Sequence, residues 1–250
     1  MIVSKPLATK RAGYSLLLAA ALSLSALQAS ASSLGLEVLI NGTQAGAYTS
    51  EQLGCGSADI TTCVGAGALV GGSSGLSLDS WNLYVDSDPV ISGIVAVTNM
   101  SAVTQQFTLI FTLPIAPAIP GGTVIGGSIQ GGATDNNGNG VTLSAPTGAA
   151  FYAARIDGAD VQTLYNAPQS FSAGNFLSVN VPTLSFGTPI PSQIGPAALS
   201  NIGIRLDFLL TAGDSASFTS NFVVQPIPVP AAGLLFGGAL GLLGWARRRA

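Results

Sequence analysis

Apolar and polar residues alternate with a period of two along most of the chain between residues 32 and 225. The alternation gives each segment one apolar and one polar face, as in a half-buried β-strand. The clearest apolar rows are Trp81, Leu83 and Val85; Phe107, Leu109, Phe111 and Leu113; Leu177, Val179 and Val181; Ile204, Leu206, Phe208 and Leu210; and Ala216, Phe218, Phe222 and Val224. Residues 36–40, 94–98 and 151–156 are further candidates, and no long stretch of this region has the 3.6-residue period of a helix.

Turn residues divide these segments. Residues 41–42 are Asn-Gly, which predicts a tight turn after the first strand. Residues 212–214 are Ala-Gly-Asp and separate two well-patterned segments, 204–211 and 215–224, so we expect these two to form a hairpin. Residues 65–75 are rich in glycine and predict a loop. The punctuation therefore agrees with many short strands.

The fold class follows from this pattern. Short strands separated by glycine and proline turns favour an antiparallel β-sandwich, jelly-roll or Ig-like, over residues 32–225. A hydrophobic content of 48% is too high for a disordered chain. Roughly 195 residues are enough for one domain with its own core.

The N-terminal segment, residues 1–31, has the three parts of a secretory signal peptide. A basic region precedes an apolar stretch, residues 14–27, and Ala29-Ser30-Ala31 forms a small-x-small cleavage site. The basic residues are Lys5, Lys10 and Arg11. We predict a signal helix that signal peptidase removes, so that the mature chain begins near Ser32. An uncleaved anchor is the alternative, although the apolar stretch is short for a membrane span.

The charge distribution argues against some partners and mechanisms. The region between the two ends carries two arginines against eleven acidic residues, a net charge of −9, which disfavours a nucleic-acid partner. The chain has no histidine and this region has no lysine, which excludes Ser-His-Asp, Cys-His and Ser-Lys catalysis. Two acid pairs remain as candidates for acid–base work: Asp157 with Asp160, and Asp86 with Asp88. Such pairs also occur at ordinary turns, and we predict no catalytic residues and no enzyme.

Two further features have both a structural and a functional interpretation. Cys55 and Cys63 are predicted to form a disulfide in an exported chain, with free thiols or a metal site as alternatives. Asp135, Asn137 and Asn139 match the start of a calcium loop. Pro146 stands where that loop would have its bidentate glutamate, so a polar loop between strands explains the same residues. No cofactor other than calcium is indicated.

The C-terminal segment, residues 226–250, has three parts in order. A short proline motif comes first: Pro228, Val229, Pro230, Ala231 and Ala232. An apolar stretch over residues 231–246 follows; as a helix it is about 24 Å long, slightly short of a bilayer core of about 30 Å. A basic cluster comes last: Arg247, Arg248 and Arg249. By the positive-inside rule these arginines stay in the cytoplasm, which places the preceding residues outside the inner membrane.

This arrangement resembles the PEP-CTERM sorting signal, with Val229 at the place of the glutamate that gives the signal its name. The resemblance implies that an exosortase cuts near the proline motif and releases the protein. It also implies a precursor in contact with inner-membrane lipid, then a product at the cell surface or in the extracellular matrix of a Gram-negative bacterium. An ordinary tail anchor that is never cut is the alternative.

Two functions are compatible with these features. The first is a non-catalytic structural or adhesive protein associated with exopolysaccharide or biofilm, which the low charge and the absence of histidine favour. The second is a secreted carbohydrate-binding or calcium-dependent β-sandwich domain, with residues 135–140 or the acid pairs as its site.

Overall fold

A computed structural model describes residues 33–56, 60–67, 75–189 and 191–227. The predicted signal helix within residues 1–31 and the predicted transmembrane helix at residues 231–246 lie outside these ranges. Within them, the chain forms fifteen strands and no helix. The strands are β1 (Gly35–Ile40), β2 (Thr43–Tyr48), β3 (Ile60–Ala66), β4 (Leu76–Asp86), β5 (Val90–Asn99), β6 (Gln105–Pro114), β7 (Thr123–Thr134), β8 (Val141–Ser144), β9 (Ala150–Ile156), β10 (Ala159–Asn166), β11 (Ser170–Ala173), β12 (Ser178–Phe186), β13 (Gln193–Gly195), β14 (Asn201–Leu210) and β15 (Ser215–Pro226).

The strands form two sheets with antiparallel pairing throughout the described residues. Sheet A has the order β10-β9-β14-β6-β1-β2, with β8 paired to β14 and β11 paired to β8. Sheet B has the order β12-β7-β15-β5-β4-β3, with β13 paired to β7. The apolar rows of both sheets are buried in one shared core. The prediction of an all-β antiparallel sandwich is therefore confirmed.

Aromatic side chains from the two sheets meet at the centre of this core. Phe208 on β14 and Phe218 on β15 have ring centroids 4.8 Å apart, and Phe107 on β6 lies 5.9 Å from Phe208. All three are almost completely buried, and burial of each such side chain contributes about 1.5–3 kcal/mol. Tyr152 on β9 is also buried, and its hydroxyl donates a hydrogen bond of 2.8 Å to the backbone oxygen of Asn221 on β15. This polar contact links sheet A to sheet B.

Most of the predicted local features are confirmed. Residues 36–40, 94–98 and 151–156 lie in β1, β5 and β9, and the alternating rows coincide with β4, β6, β14 and β15. Asn41 and Gly42 join β1 to β2 with φ angles of 51° and 78°. Both angles are positive, as the mirror-image turns of two-residue hairpins require, and Asn and Gly tolerate them best.

The predicted hairpin between residues 204–211 and 215–224 is wrong. These segments are β14 and β15, but β14 lies in sheet A between β9 and β6, whereas β15 lies in sheet B between β7 and β5. A hairpin would place their apolar rows side by side on one sheet. Here the rows face each other across the core, and residues 211–214 cross from one sheet to the other. Both arrangements require the same alternation, so the pattern could not distinguish them.

Two other local predictions need correction. Leu177 lies just before β12 and is exposed, and Val179 is only half-buried, because β12 is an edge strand of sheet B that covers little of the core. The predicted loop at residues 65–75 begins later than expected, since Gly65 and Ala66 belong to β3. Gly65 pairs with Trp81, and a Cβ at this position would come within 1.9 Å of the indole ring. The glycine is thus a packing requirement of the strand.

Cys55 and Cys63 form the predicted disulfide. It joins the segment after β2 to the inward face of β3, where Cys63 is completely buried. The same segment places Leu53 in the core, and the backbone oxygen of Leu53 accepts a hydrogen bond of 2.8 Å from the Trp81 indole N–H. The disulfide and this hydrogen bond together hold the outer strands of sheet B against the rest of the sandwich.

The described chain begins and ends at the same end of the sandwich. Gly35, the first residue of β1, pairs with Thr112 near the end of β6, and β6 in turn ends beside Asn201, the start of β14. Pro226, the last residue of β15, pairs with Thr123 at the start of β7. We call this the terminal end. The opposite end, where β14 stops and β15 starts, we call the far end.

Removal of the disulfide is expected to destabilise the domain by about 2–3 kcal/mol, because the crosslink limits the entropy of the unfolded chain over a short loop. The measurement is urea unfolding of the Cys55→Ala/Cys63→Ala double variant against the parent. Reduction of the parent should reproduce the loss, and reductant should leave the double variant unchanged. Equal stability of parent and double variant would contradict the expectation.

Candidate functional site

The Asp135 carboxylate organises the loop that follows β7 at the far end. Its Oδ1 accepts hydrogen bonds from the backbone N–H groups of Asn137 (3.1 Å) and Gly138 (2.9 Å). Its Oδ2 accepts from those of Gly140 (3.0 Å) and Phe176 (2.7 Å). The side chain is 3% exposed. Both oxygens of this carboxylate therefore bind the protein's own backbone.

Those contacts argue against the calcium hypothesis, because they occupy the oxygens that would bind the ion. Asn137 uses its side-chain oxygen to accept from the Asn139 N–H and its amide nitrogen to donate to Ala212, while the Asn139 side chain is exposed. Asp135, Asn137 and Asn139 are thus brought together, but two of the three are directed to backbone partners. In the part of the chain that the structure describes, no group of three His, Cys, Asp or Glu side chains could hold a metal ion. The geometry favours the polar loop.

Hydrogen bonding also sets the charge of Asp135. Burial raises the pKa of this carboxyl, but the four backbone N–H donors favour the ionised form more strongly and bring its pKa from the ordinary value of 3.8 to about 2. The loop therefore has a negative charge at its centre at neutral pH. Phe176, whose N–H is one of the donors, has a φ of 57°, which a bulky residue rarely adopts.

A second network of buried hydrogen bonds lies at the far end and stabilises residues 211–214, which cross from sheet A to sheet B. Asn99, completely buried, donates from its amide to the backbone oxygens of Val103, Leu210 and Thr211 at 2.9, 2.9 and 3.1 Å. Asp214 is also completely buried. Its carboxylate oxygens accept hydrogen bonds from the Thr211 hydroxyl and from the backbone N–H of Asn136. Burial raises the pKa of Asp214 despite these donors. The network satisfies polar groups in the loop that carries the chain between the sheets.

Asp157, one candidate for acid–base catalysis, has a structural role at the terminal end. It accepts hydrogen bonds from the backbone N–H groups of Leu199 (2.8 Å), Ser200 (2.7 Å) and Asn201 (3.0 Å), and from the Ser200 hydroxyl (2.8 Å). Burial raises the pKa of this carboxyl, but the hydrogen-bond donors have the larger combined effect and bring the pKa from 3.8 to about 2. The carboxylate fixes the segment that leads into β14.

The remaining acidic candidates have similar roles. Asp160 forms ion pairs with Arg155 at 3.2 Å and with Arg205 at 2.8 Å, so both arginines of the sandwich share one carboxylate. Asp86 accepts the N–H of Asp88 at 2.9 Å within the turn between β4 and β5. These contacts account for the acid pairs as turn and ion-pair residues.

The alternation pattern gave no sign of a groove on the outer face of sheet B. It crosses β4, β5, β15, β7 and β12 and encloses about 370 Å³. Its floor is made of small residues in register, with Ser217 of β15 between Ala96 of β5 and Gly132 of β7. Asp79 and Asn180 stand at its two sides. The lining is dominated by hydroxyl, amide and small apolar groups. Only the sheet order brings these positions together, so no local sequence pattern indicates the groove.

The predicted sorting residues Pro228, Val229, Pro230, Ala231 and Ala232 and the basic cluster Arg247, Arg248 and Arg249 lie outside the described residues. Among the residues that are described, no helix has the length and apolarity needed for a membrane crossing. The chain matches no protein-family model and no curated protein.

Replacement of Asp135 by Asn is expected to lower the melting temperature and to reduce the acid sensitivity of the fold. The side-chain amide of asparagine would place an NH2 group against backbone N–H groups that now donate to the carboxylate, so some of the four hydrogen bonds would be lost. The low pKa means that the Asp135 carboxylate stabilises the folded state above pH about 4 and that this contribution is lost as the pH falls to about 2. Thermal melts between pH 2 and 6 measure both effects.

Asp88→Asn is the control for that experiment, since the Asp88 side chain is exposed. Its melting curve should follow the parent at every pH. Part of the acid sensitivity should remain in Asp135→Asn, because the pKa of Asp157 is lowered to the same value. An Asp135→Asn variant with the parent's stability and pH dependence would show that the four hydrogen bonds are not important.

Calcium is expected to leave the melting temperature unchanged. A ligand that binds only the folded state stabilises it by RT ln(1 + [L]/Kd), so its melting temperature rises with ligand concentration. The Asp135 oxygens, however, already accept four backbone hydrogen bonds. The measurement is a thermal melt at calcium concentrations from micromolar to millimolar, with magnesium in parallel. A large shift specific to calcium that Asp135→Asn abolishes would contradict the polar-loop interpretation.

Proposed function

We propose that this chain is an exported surface or matrix protein with a non-catalytic structural or adhesive role, associated with exopolysaccharide or biofilm. In this proposal the precursor is held on the inner membrane by the tail until an exosortase cuts near the proline motif. The observation that carries the proposal is the three-part sequence of the tail: the motif Pro228, Val229, Pro230, Ala231 and Ala232, the apolar stretch over residues 231–246, and three arginines.

The positions of the first and last described strands support this arrangement. β1 begins and β15 stops at the terminal end of the sandwich. A signal peptide before β1 and an anchor after β15 would therefore both leave the domain toward the same membrane. A domain whose first and last strands ended on opposite sides would need a long connection along its surface to do the same.

The roles of the acidic residues support a non-catalytic function. Asp135 and Asp157 bind backbone N–H groups, and Asp160 pairs with both arginines of the sandwich. A general acid or base must instead be free to exchange a proton with a substrate near the working pH. The absence of histidine from the sequence removes the side chain that most often serves this purpose.

We also propose that the sandwich is a jelly-roll rather than Ig-like, because of the path that the chain takes between the sheets. β5, β6, β7 and β8 alternate between sheet B and sheet A, and so do β13, β14 and β15. Repeated crossing between two sheets is the manner in which a jelly-roll winds its strands.

A second candidate is a secreted carbohydrate-binding domain, which the groove on sheet B favours. Its floor offers the Ser217 hydroxyl and its side offers the Asn180 amide. Within the described residues neither side chain has a hydrogen-bond partner. Hydroxyl and amide groups along an open channel suit a neutral polymer with many hydroxyls better than a charged one. The calcium-dependent form of this candidate is the one that the melting experiment above addresses.

Substitution of Pro228 and Pro230 by alanine is expected to block processing of the tail. The precursor should then accumulate in the inner membrane, because the proposed enzyme recognises the proline motif, while the apolar stretch and arginines still hold the chain. Immunoblots of membrane and extracellular fractions from the native host measure this outcome. Pro120→Ala, in the loop before β7, serves as a proline control outside the motif. Unchanged processing and localisation of the double variant would refute the exosortase proposal.

A further inference from the structure

The last described residues are still attached to the sandwich at the terminal end. β15 extends to Pro226, and the N–H of Ile227 donates a hydrogen bond of 3.3 Å to the backbone oxygen of Gly122, in the segment before β7. Ile227 also packs on Gly122, where a Cβ would lie 3.0 Å from its side chain. Ile227, the last described residue, therefore contacts the sandwich and directly precedes the proline motif in the sequence.

The connection from this point to the apolar stretch is short. Ala231 follows Ile227 by four residues, and four fully extended residues span at most about 14 Å. The headgroup layer on one side of a bilayer is about 5–7 Å thick. If the apolar stretch is inserted, Ile227 lies within about 9 Å of the headgroup surface, which is less than the diameter of one helix. The terminal end must then face the bilayer directly.

Exposed aliphatic side chains lie at this end, among them Ile60 at the start of β3, which pairs with Asp86 and is 57% exposed. Ile194 on β13 is 78% exposed, Leu199 before β14 is 58% exposed, and Ile227 is 45% exposed. The Asp157 carboxylate fixes Leu199 through the hydrogen bond to its backbone N–H. The far end also exposes apolar side chains, such as Met100 and Phe176, so exposure alone does not choose between the ends. The position of the tail identifies the terminal end as the one that faces the membrane.

The charges near this end determine which lipid surface it suits. Asp86 and Asp88 lie in the turn between β4 and β5 beside the end of β15, and Asp157 is close to Leu199. The two arginines of the sandwich are both paired with Asp160. Among the described residues, this end thus has acids that form no ion pair and no cation without one, so anionic headgroups repel it and a zwitterionic surface suits it.

We propose that, in the membrane-held precursor, the terminal end of the sandwich is a lipid-contact surface on which Ile194, Leu199 and Ile227 rest against a zwitterionic bilayer. This inference rests on the proposed function, because it requires the tail to be inserted. It adds an orientation of the domain. The terminal end faces the bilayer, and the far end, with Phe176 and Val103, points away from it. Processing then releases a surface that the bilayer had covered.

The test uses the full chain in phosphatidylcholine vesicles whose acyl chains carry bromine close to the headgroup, which quenches tryptophan nearby. In the parent, quenching of Trp245 reports insertion of the tail. In a Trp245→Phe background, Leu199→Trp reports the terminal end and Val103→Trp the far end; Trp81 stays buried in both. The two probe positions are matched, because Leu199 is 58% and Val103 is 60% exposed.

We expect the bromine to lower the emission of Leu199→Trp about twofold and to leave that of Val103→Trp unchanged, because interfacial side chains lie within about 5–10 Å of the headgroup boundary. Quenching of Trp245 without quenching of Leu199→Trp overturns this inference and leaves the proposed anchor intact. Equal quenching of Leu199→Trp and Val103→Trp overturns the orientation. Absence of Trp245 quenching overturns both the inference and the proposed anchor.

Discussion

Phe208 of β14 and Phe218 of β15 pack against each other across the interior, with ring centroids 4.8 Å apart. The two residues are only ten positions apart in the chain, yet they come from different sheets. This contact requires the chain to leave sheet A after Leu210 and to enter sheet B at Ser215. The position of every neighbouring strand depends on that crossing, because β14 and β15 are central strands of their sheets. The packing of the aromatic cluster and the order of strands in the two sheets therefore depend on each other.

A crossing of this kind leaves backbone groups away from both ladders, and buried polar side chains satisfy them. Asn99 binds three backbone oxygens at the far end, and Asp135 binds four backbone N–H groups there. Asp157 makes similar contacts with backbone N–H groups at the terminal end, although its side chain there is exposed. An unsatisfied buried group costs about 1–3 kcal/mol, so the buried Asn99 and Asp135 each contribute to the stability of the sandwich. Carboxylates that resemble catalytic or metal-binding residues in the sequence are used in this way throughout the domain.

The sequence predicted the candidate sites less completely than the strands. Asp135, Asn137 and Asn139 do lie together, since a local loop keeps neighbours close. The partners that decide the chemistry of Asp135 include Phe176, about forty residues later, and no local pattern indicates that contact. Asp157 and Asp160 were paired by proximity in the chain, but the first binds residues 199–201 and the second binds arginines on β9 and β14. The groove on sheet B combines five strands, so it exists only once their order is known.

Alternation and turn residues by themselves determined that the domain is all-β, where eight of its fifteen described strands lie, and that Asn41 and Gly42 make a turn. These features follow from the two-residue period of a strand and from local backbone preferences, both of which act over a few residues. The spacing of the two cysteines and the signal-like start pointed to the disulfide. Tertiary structure alone decided that β14 and β15 belong to different sheets, that Leu177 is exposed, and that the described chain begins and ends at one end. Each of these depends on which apolar faces pack against each other. Two sheets can bring together residues that are far apart in the sequence, so a local pattern does not indicate these contacts.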